Sequence, residues 1–296
     1  MVMPVRNEEL FLRGALNSLL AQTYTDFELI VVDDGSTDGS HDIARGTGDR
    51  RVRVIAGPAQ GLSAARNAGI AAAVGQLVAF ADGDDESEPN RLELQIAALD
   101  ERHLDAISCA YLPLDALGHA FSPTSYLEDP EAIKWASYSY MPVCGPAMMC
   151  RAEIFTAAGV FNDAYFPAED YEWFCRVLRD GTIFGAIDLP LYRYRWHSAS
   201  ISQERSHEQR LATRRVQNEH WLALPPSRVS FTAARRSLPP EASPQQRRKH
   251  ASALLQVARQ MARRERRRDA AISCVMTIAA NPLGSLAAGT RRPVLP

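Results

Sequence analysis

Over the first 110 residues, short apolar runs alternate with stretches whose apolar positions recur every three or four residues. "VMPV" is a brief extended run. In "EELFLRGALNSLLAQ", Phe11/Leu12, Ala15/Leu16 and Leu19/Leu20 form one helical stripe. "ELIVVDD" reads as a buried strand ending in acids. "STDGSHDIAR" opens on capping residues and reads as a short helix. "VRVIA" is a strand, and "GLSAARNAGIAAAVG" is an Ala-rich helix that closes on Gly75. "QLVAFAD" is a strand, followed by a helix in "PNRLELQIAALDE" with Pro89 near its start. Strands alternating with helices imply a parallel sheet covered by helices on both faces. The first strand has almost no lead-in, which points to a start codon assigned late.

Further on, "AISCAYLPL" reads as a strand and "GHAFSPTSYLEDP" as a loop. Residues 169–181 read as a helix, with Trp173, Phe174, Val177 and Leu178 on one face and Gly181 at its end. "LPLYRYRWH" alternates like an edge strand. Near residue 205 the character changes. "HEQRLATRRVQNEHWLAL" is helical, Pro225, Pro226, Pro239, Pro240 and Pro244 punctuate a linker, and "QQRRKHASALLQVARQMARRERRRD" is a basic amphipathic helix. The expected organisation is a main α/β domain over 1–204, a helical segment and Pro-rich linker over 205–244, and a basic helix and tail over 245–296. No internal repeat is present.

Composition adds one surprise. The chain has 296 residues, 46% hydrophobic and 23% charged, as expected of a globular protein with a sizeable core. Its net charge of −2 hides a split: residues 205–296 hold 18 Lys+Arg against 5 Asp+Glu, leaving 15 against 30 in 1–204. Such asymmetry suggests different partners for the two parts. The five cysteines, Cys109, Cys144, Cys150, Cys175 and Cys274, are scattered without zinc-like spacing and read as free thiols of a reducing compartment. The opening residues do not read as a signal peptide. No apolar run reaches the roughly 18 residues of a membrane span.

The chemistry gathers at strand ends. In an open α/β sheet, ligands bind at the carboxyl ends of the strands. Two strands end in acids there, "IVVDDGS" at Asp33/Asp34 and "VAFADGDD" at Asp82/Asp84/Asp85. The adjoining glycines, Gly83 among them, let backbone approach a ligand. Carboxylates crowded at one edge raise one another's pKa unless neutralised. A divalent cation does that, and Asp-x-Asp supplies hard oxygen ligands for Mn²⁺ or Mg²⁺, with substrate phosphates completing the shell. Taken alone, the same acids also suit a surface turn that caps the helix at Pro89.

The series "MPVRNEE", "DDGSTDGS", "GLSAARNAGIAAAVGQLVAFADGDD" and "AEDYEWFCRV" occurs in that order. Together these motifs resemble the family 2 glycosyltransferases, inverting enzymes of the GT-A fold, over roughly residues 1–200. The resemblance implies a GT-A nucleotide-diphospho-sugar transferase fold, a Rossmann-like mixed sheet flanked by helices, with a C-terminal helical extension. It also implies residue roles. Pro4, Val5, Asn7 and Glu8 stand where the first strand enters the nucleotide pocket. The family usually has Tyr or Phe where this chain has Arg6. Asp33 and Asp34 match the acidic pair that accepts from base or ribose. Arg66 and Asn67 match "ARN", with Arg66 near the nucleotide or phosphate. Asp82 and Asp84 match the metal motif around Gly83, and Asp85 is an extra acid toward the sugar. His197 is a candidate third metal ligand and Arg195 a candidate phosphate clamp. In Glu169-Asp170, Asp170 matches the catalytic base; the same pair also suits a helix N-terminus, where acids are favoured.

The resemblance further implies Mn²⁺ or Mg²⁺ as cofactor and a UDP-, GDP- or dTDP-linked sugar as donor. It implies a glycan or a polyprenyl- or lipid-linked acceptor in cell-surface polysaccharide or glycolipid synthesis. The expected location is cytoplasmic, at the inner face of the plasma membrane. The basic segment 245–280 fits peripheral contact with an anionic membrane, a dimerisation helix or a solvated tail. Few aromatics interleave with its charges, so no nucleic-acid partner is expected. The rival readings are a non-catalytic sugar-nucleotide-binding scaffold and a sugar-nucleotide pyrophosphorylase. The second lacks its Gly-rich basic loop, since "PVRNEE" occupies that place.

Overall fold

Val2–Val5 forms β1, and its four side positions are all buried, as its unbroken apolar run requires. The computed structural model describes residues 1–222, with side chains to His220. The chain continues through α1 (Leu12–Leu20), β2 (Leu29–Asp33), α2 (Ser40–Arg45), β3 (Val52–Ala56) and α3 (Leu62–Ala72). β1, β2 and β3 pair in parallel in that order. In α1 the predicted stripe is the buried face: Leu12, Ala15, Leu16 and Leu19 all point inward. α3 stops at Ala72 and turns extended at Ala73, short of Gly75, whose backbone lies beside that of Leu77. Gly69 explains how close α3 lies to the sheet, because a Cβ there would sit 2.3 Å from Val2 Cγ1.

The second half is a mixed sheet ordered β4-β7-β6-β8-β5, built from β4 (Leu77–Ala79), β5 (Glu86–Ser87), β6 (Ala106–Leu114), β7 (Met149–Arg151) and β8 (Phe184–Arg195). A parallel bridge between Val2 and Phe80 joins the two sheets through β1 and β4. α4 (Arg91–Glu101), α5 (Pro130–Ser137), α6 (Glu153–Ala157), α7 (Glu169–Arg179), α8 (Ile201–Glu204) and α9 (Ser206–Leu222) complete the order. The wholly parallel sheet expected from the alternation thus holds for the first three strands only. β8 is not an edge strand: it pairs in parallel with β6 and antiparallel with the two-residue β5. Its alternation arises because Tyr192 is buried while Arg193 reaches out to Glu86 and Glu88.

The core around β6, β8 and α7 is aromatic. Trp173 stacks on Phe155 at 5.0 Å and is fully buried, with its indole N–H bonded to Gly159 O at 2.9 Å. Cys109, Cys144, Cys150 and Cys175 are free thiols packed in this region. α9 is docked, not appended. His220 stacks on Tyr138 at 4.2 Å and lies 3.0 Å from Ser137 Oγ, and Val216 is buried. The boundary expected at 204 falls at the junction of α8 and α9. The linker and the basic segment of 245–296 lie outside the described residues. Among the described residues, no helix is long and apolar enough to cross a membrane.

Candidate functional site

β1, β2 and β4 end side by side, and a cavity of about 580 Å³ opens over them. The chain leaving β1 is latched to the loop after β2. Asn7 adopts the left-handed region at φ 58°, its Oδ1 accepts from Thr37 N at 2.8 Å, and its own N donates to Ser36 Oγ at 3.1 Å. Glu8 N donates to Ser40 Oγ at 2.8 Å. Asn7 thus fixes the turn that carries Arg6 and Glu8 to the cleft wall.

At the end of β2 the two acids diverge. Asp33 turns aside. Its Oδ1 accepts from Ser36 N at 2.9 Å, and its Oδ2 lies 2.8 Å from His41 Nδ1. Burial acts to raise its pKa, but the bonds from Ser36 and His41 outweigh burial and hold it below the usual range. Asp34 lines the cavity. Its Oδ2 accepts from Gly61 N at 2.8 Å, while Oδ1 is buried without a partner. A buried acceptor left open at a cavity wall is costly unless a ligand donor meets it.

At the end of β4 the negative charge is denser. Arg66, on α3 and nearly fully buried, donates to Asp82 Oδ1 at 3.0 Å and to Glu169 Oε1 at 3.1 Å. Burial alone would lower its pKa, yet Asp82, Glu169 and Asp170 raise it. Asp84 Oδ2 lies 2.8 Å from His197 Nε2. Glu8 joins them: one ligand atom each of Glu8, Asp84 and His197 lie within 4.8 Å of one another. Gly83 keeps this corner narrow, since a Cβ there would sit 3.2 Å from Glu8 Cγ. Burial, then Asp84 and Asp82, push the Glu8 carboxyl up to about 8. Two carboxylates and an imidazole suit a hard divalent cation, and the raised Glu8 marks charge that lacks a counter-ion. Of the three residues expected to hold a metal, Asp84 and His197 lie together and Glu8 joins them, while Asp82 is paired with Arg66.

α7 brings the last pair. Glu169 is buried against Arg66, and burial followed by Asp170 raises it to about 7. Asp170 lines the cavity, and Tyr171 N donates to its Oδ1 at 2.7 Å. Burial raises its pKa against the pull of Arg66. Gly145 makes room for it, because a Cβ there would lie 2.5 Å from Asp170 Oδ2.

The cavity thus gathers Pro4, Val5, Asn7, Glu8, Asp34, Arg66, Asp82, Gly83, Asp84, Glu169 and Asp170. Five expected residues do not line it, and His197, beside Asp84, is one of them. Asp33 has turned to His41. Asn67 is spent on Phe161, donating to its O at 2.8 Å and accepting from its N at 3.0 Å. Asp85 is buried beneath the loop, its Oδ1 accepting from Arg195 N at 2.7 Å. Arg195 faces the back of that loop, where Nε donates to Asp84 O at 3.0 Å and Nη2 to Glu86 Oε1 at 2.8 Å. Sequence reasoning missed Arg205 and Gln209, which reach the cavity from the α8–α9 junction. A basic residue followed by a helix gave no signal of where that helix docks.

The chain matches the family model described as Glycosyl transferase family 2 over residues 1–157. It belongs to that family. It is 29% identical over 221 residues to the glycosyltransferase EpsJ of Bacillus subtilis (strain 168), covering 68% of this chain and 62% of EpsJ. It is 28% identical over 224 residues to the glycosyltransferase YibD of Escherichia coli (strain K12), again covering 68% and 62%. The match therefore spans about three-fifths of each relative's length. Among solved structures, S. aureus TarS 1-349 in complex with UDP superposes with a TM-score of 0.58 at 20% identity, over 86% of this chain and 79% of that one. The UDP-GlcNAc complex of TarS gives 0.59 at 19% identity, over 86% and 79%. The fold is the GT-A fold expected from the motif series.

Proposed function

We propose that this chain is an inverting glycosyltransferase, moving a sugar from a nucleotide-diphosphate donor to a hydroxyl of a glycan or lipid-linked acceptor. One observation carries the reading. Asp170, Glu8 and Asp84 line one cavity, and Glu8 and Asp84 come together with His197 as a donor set suited to a divalent cation. Family membership sets the class of reaction, and the geometry supports the following division of work within it.

The nucleotide lies along the ends of β1 and β2, where the open Oδ1 of Asp34 takes a donor from base or ribose. Asp170 takes the proton of the acceptor hydroxyl as that oxygen attacks the anomeric carbon. Inversion needs one carboxylate on the face opposite the leaving diphosphate, and no covalent intermediate forms. Glu169 does not compete for this role, because Arg66 holds it. Arg66 itself is a fixed positive floor, both of its Nη atoms being bonded to carboxylates. Glu8, Asp84 and His197 would hold Mn²⁺ or Mg²⁺, which would supply positive charge for the departing diphosphate.

Of UDP-, GDP- and dTDP-linked sugars, UDP-linked donors are the first choice, since TarS has been solved with UDP and UDP-GlcNAc. The proposed setting is the cytoplasmic face of the plasma membrane, in cell-surface polysaccharide or glycolipid synthesis. The basic segment 245–280 provides a contact for anionic lipid there. Nucleotide release from a panel of UDP-, GDP- and dTDP-sugars with Mn²⁺ or Mg²⁺ tests the reading. Release with one donor, abolished by EDTA and by Asp170→Asn with donor binding retained, is expected. Failure of every donor to bind in calorimetry would overturn it.

A further inference from the structure

Beside the cation cluster the surface is unusually apolar. Leu10 is 87% exposed, Leu117 82%, Phe121 52% and Trp196 41%. These side chains come from three separate segments, yet the structure ties the segments together. Phe11 packs on His197 with ring centroids 4.9 Å apart, and the Arg195 guanidinium lies over Phe11 at 5.0 Å. Arg195 Nη1 also donates to Asp115 O at 3.5 Å, holding the turn that carries Leu117. Phe121 and Trp196 pair at 5.8 Å, and Trp196 N donates to Leu114 O at 2.8 Å. Exposed Ile183 is not part of this face: it precedes β8, at the opposite end of that strand from Trp196.

We propose that this collar is a membrane-docking face, on which Leu10, Leu117, Phe121 and Trp196 enter the headgroup region of a bilayer and bring the cleft mouth to its surface. Two aliphatic tips flanked by a Trp and a Phe have the composition of an interfacial anchor, apolar at the tip and wet at the base. The area argues against a second copy of the chain as occupant. Four side chains offer on the order of 400 Å², against about 800 Å² per partner in a stable protein interface. Charge points the same way. Residues 1–204 carry 30 acids against 15 basic residues, so this body has no electrostatic reason to approach an anionic leaflet and needs an apolar one. The 18 Lys+Arg of residues 205–296 supply the attraction that such a body lacks.

The inference goes beyond the transferase reading and does not require it, because docking is measured without donor or turnover. The full chain is floated with vesicles of equal parts phosphatidylcholine and phosphatidylglycerol, at physiological and at high salt. High salt screens the basic segment and leaves apolar insertion. The wild type is expected to stay vesicle-bound at high salt, with a blue shift in tryptophan emission that Trp196→Phe removes. Leu10→Asp combined with Leu117→Asp and Phe121→Ser is expected to lower the high-salt bound fraction at least tenfold, with the melting temperature unchanged. Should that combination fail to fold, Leu117→Ser alone, on its exposed turn, is expected to give a partial loss. The proposal is overturned if the wild type does not float at high salt, or if folded variants float as well as it does. It is equally overturned if the wild type sediments as a dimer that these substitutions dissociate.

Discussion

At the end of β2, Asp33 and Asp34 are met by two backbone N–H groups and an imidazole. At the end of β4, Asp82, Asp84 and Asp85 are joined by Glu8 and by Glu169-Asp170, and the answering cation among them is Arg66, with His197 beside Asp84. The first edge is close to self-sufficient: Asp33 is held below the usual carboxylate range. The second is not, and Glu8, Asp82, Asp85, Glu169 and Asp170 are all pushed up, burial being the first cause in each. Similar acid-rich strand ends thus do different work. One presents a single open acceptor atom, which suits a neutral donor group on a nucleotide. The other accumulates negative charge that the described residues leave uncompensated, which suits a cation and the anion it carries.

Removing the arginine at the β4 edge should break this contrast most severely. Arg66→Leu leaves the half-buried Asp82 and the buried Glu169 without their partner, and a loss of about 3–5 kcal/mol in denaturant unfolding is expected. Gly145→Ala acts on the same edge without touching a charge. Its Cβ displaces Asp170, and turnover is expected to fall about 100-fold while donor affinity, read by calorimetry, stays within about twofold. Acid titration probes a region belonging to neither edge. Burial, followed by Arg179 and Lys134, lowers the His220 pKa from 6.5 to about 3. Its contribution is therefore complete above pH 6.5 and is lost as pH falls from there toward about 3, because only the unfolded chain takes up the proton. From pH 7 to 5 this amounts to about 2 kcal/mol, and His220→Gln should flatten that part of the stability profile. The smallest effect belongs to the β2 edge. Asp33→Asn keeps an acceptor for Ser36 N, and a loss of under about 1 kcal/mol is expected with cation and donor binding unchanged.

Most elements were legible because their apolar positions alternate or recur with a clear period. The strand order and pairing within the second sheet were not. β6 and β8 pair in parallel with a register shift near Ala110, where Pro190 takes the partner place, and such pairing leaves no local signature. At the site, strand-end acids marked the edges where carboxylates gather, and two of the three residues expected to hold a metal, Asp84 and His197, lie together. The division of labour among neighbours did not show. Arg66 meets Glu169 from 103 residues away in the chain, and Asp85 turns under its loop to meet a backbone N–H of β8. Arg195 reads as a phosphate clamp until its three partners are known. Glu8 was legible as part of a motif, but only the fold brings it to Asp84.

Calorimetric titration of Mn²⁺ into the free protein, in buffers of different ionisation enthalpy, tests the charge account most directly. Glu8 holds a proton below about pH 8. A cation bound there must displace it, so close to one proton should be released at pH 7, with affinity rising to about pH 8 and levelling above. Asp84→Asn should abolish both binding and release, and Asp33→Asn should leave them intact. Mn²⁺ uptake without proton release, or uptake that survives Asp84→Asn, would contradict the account.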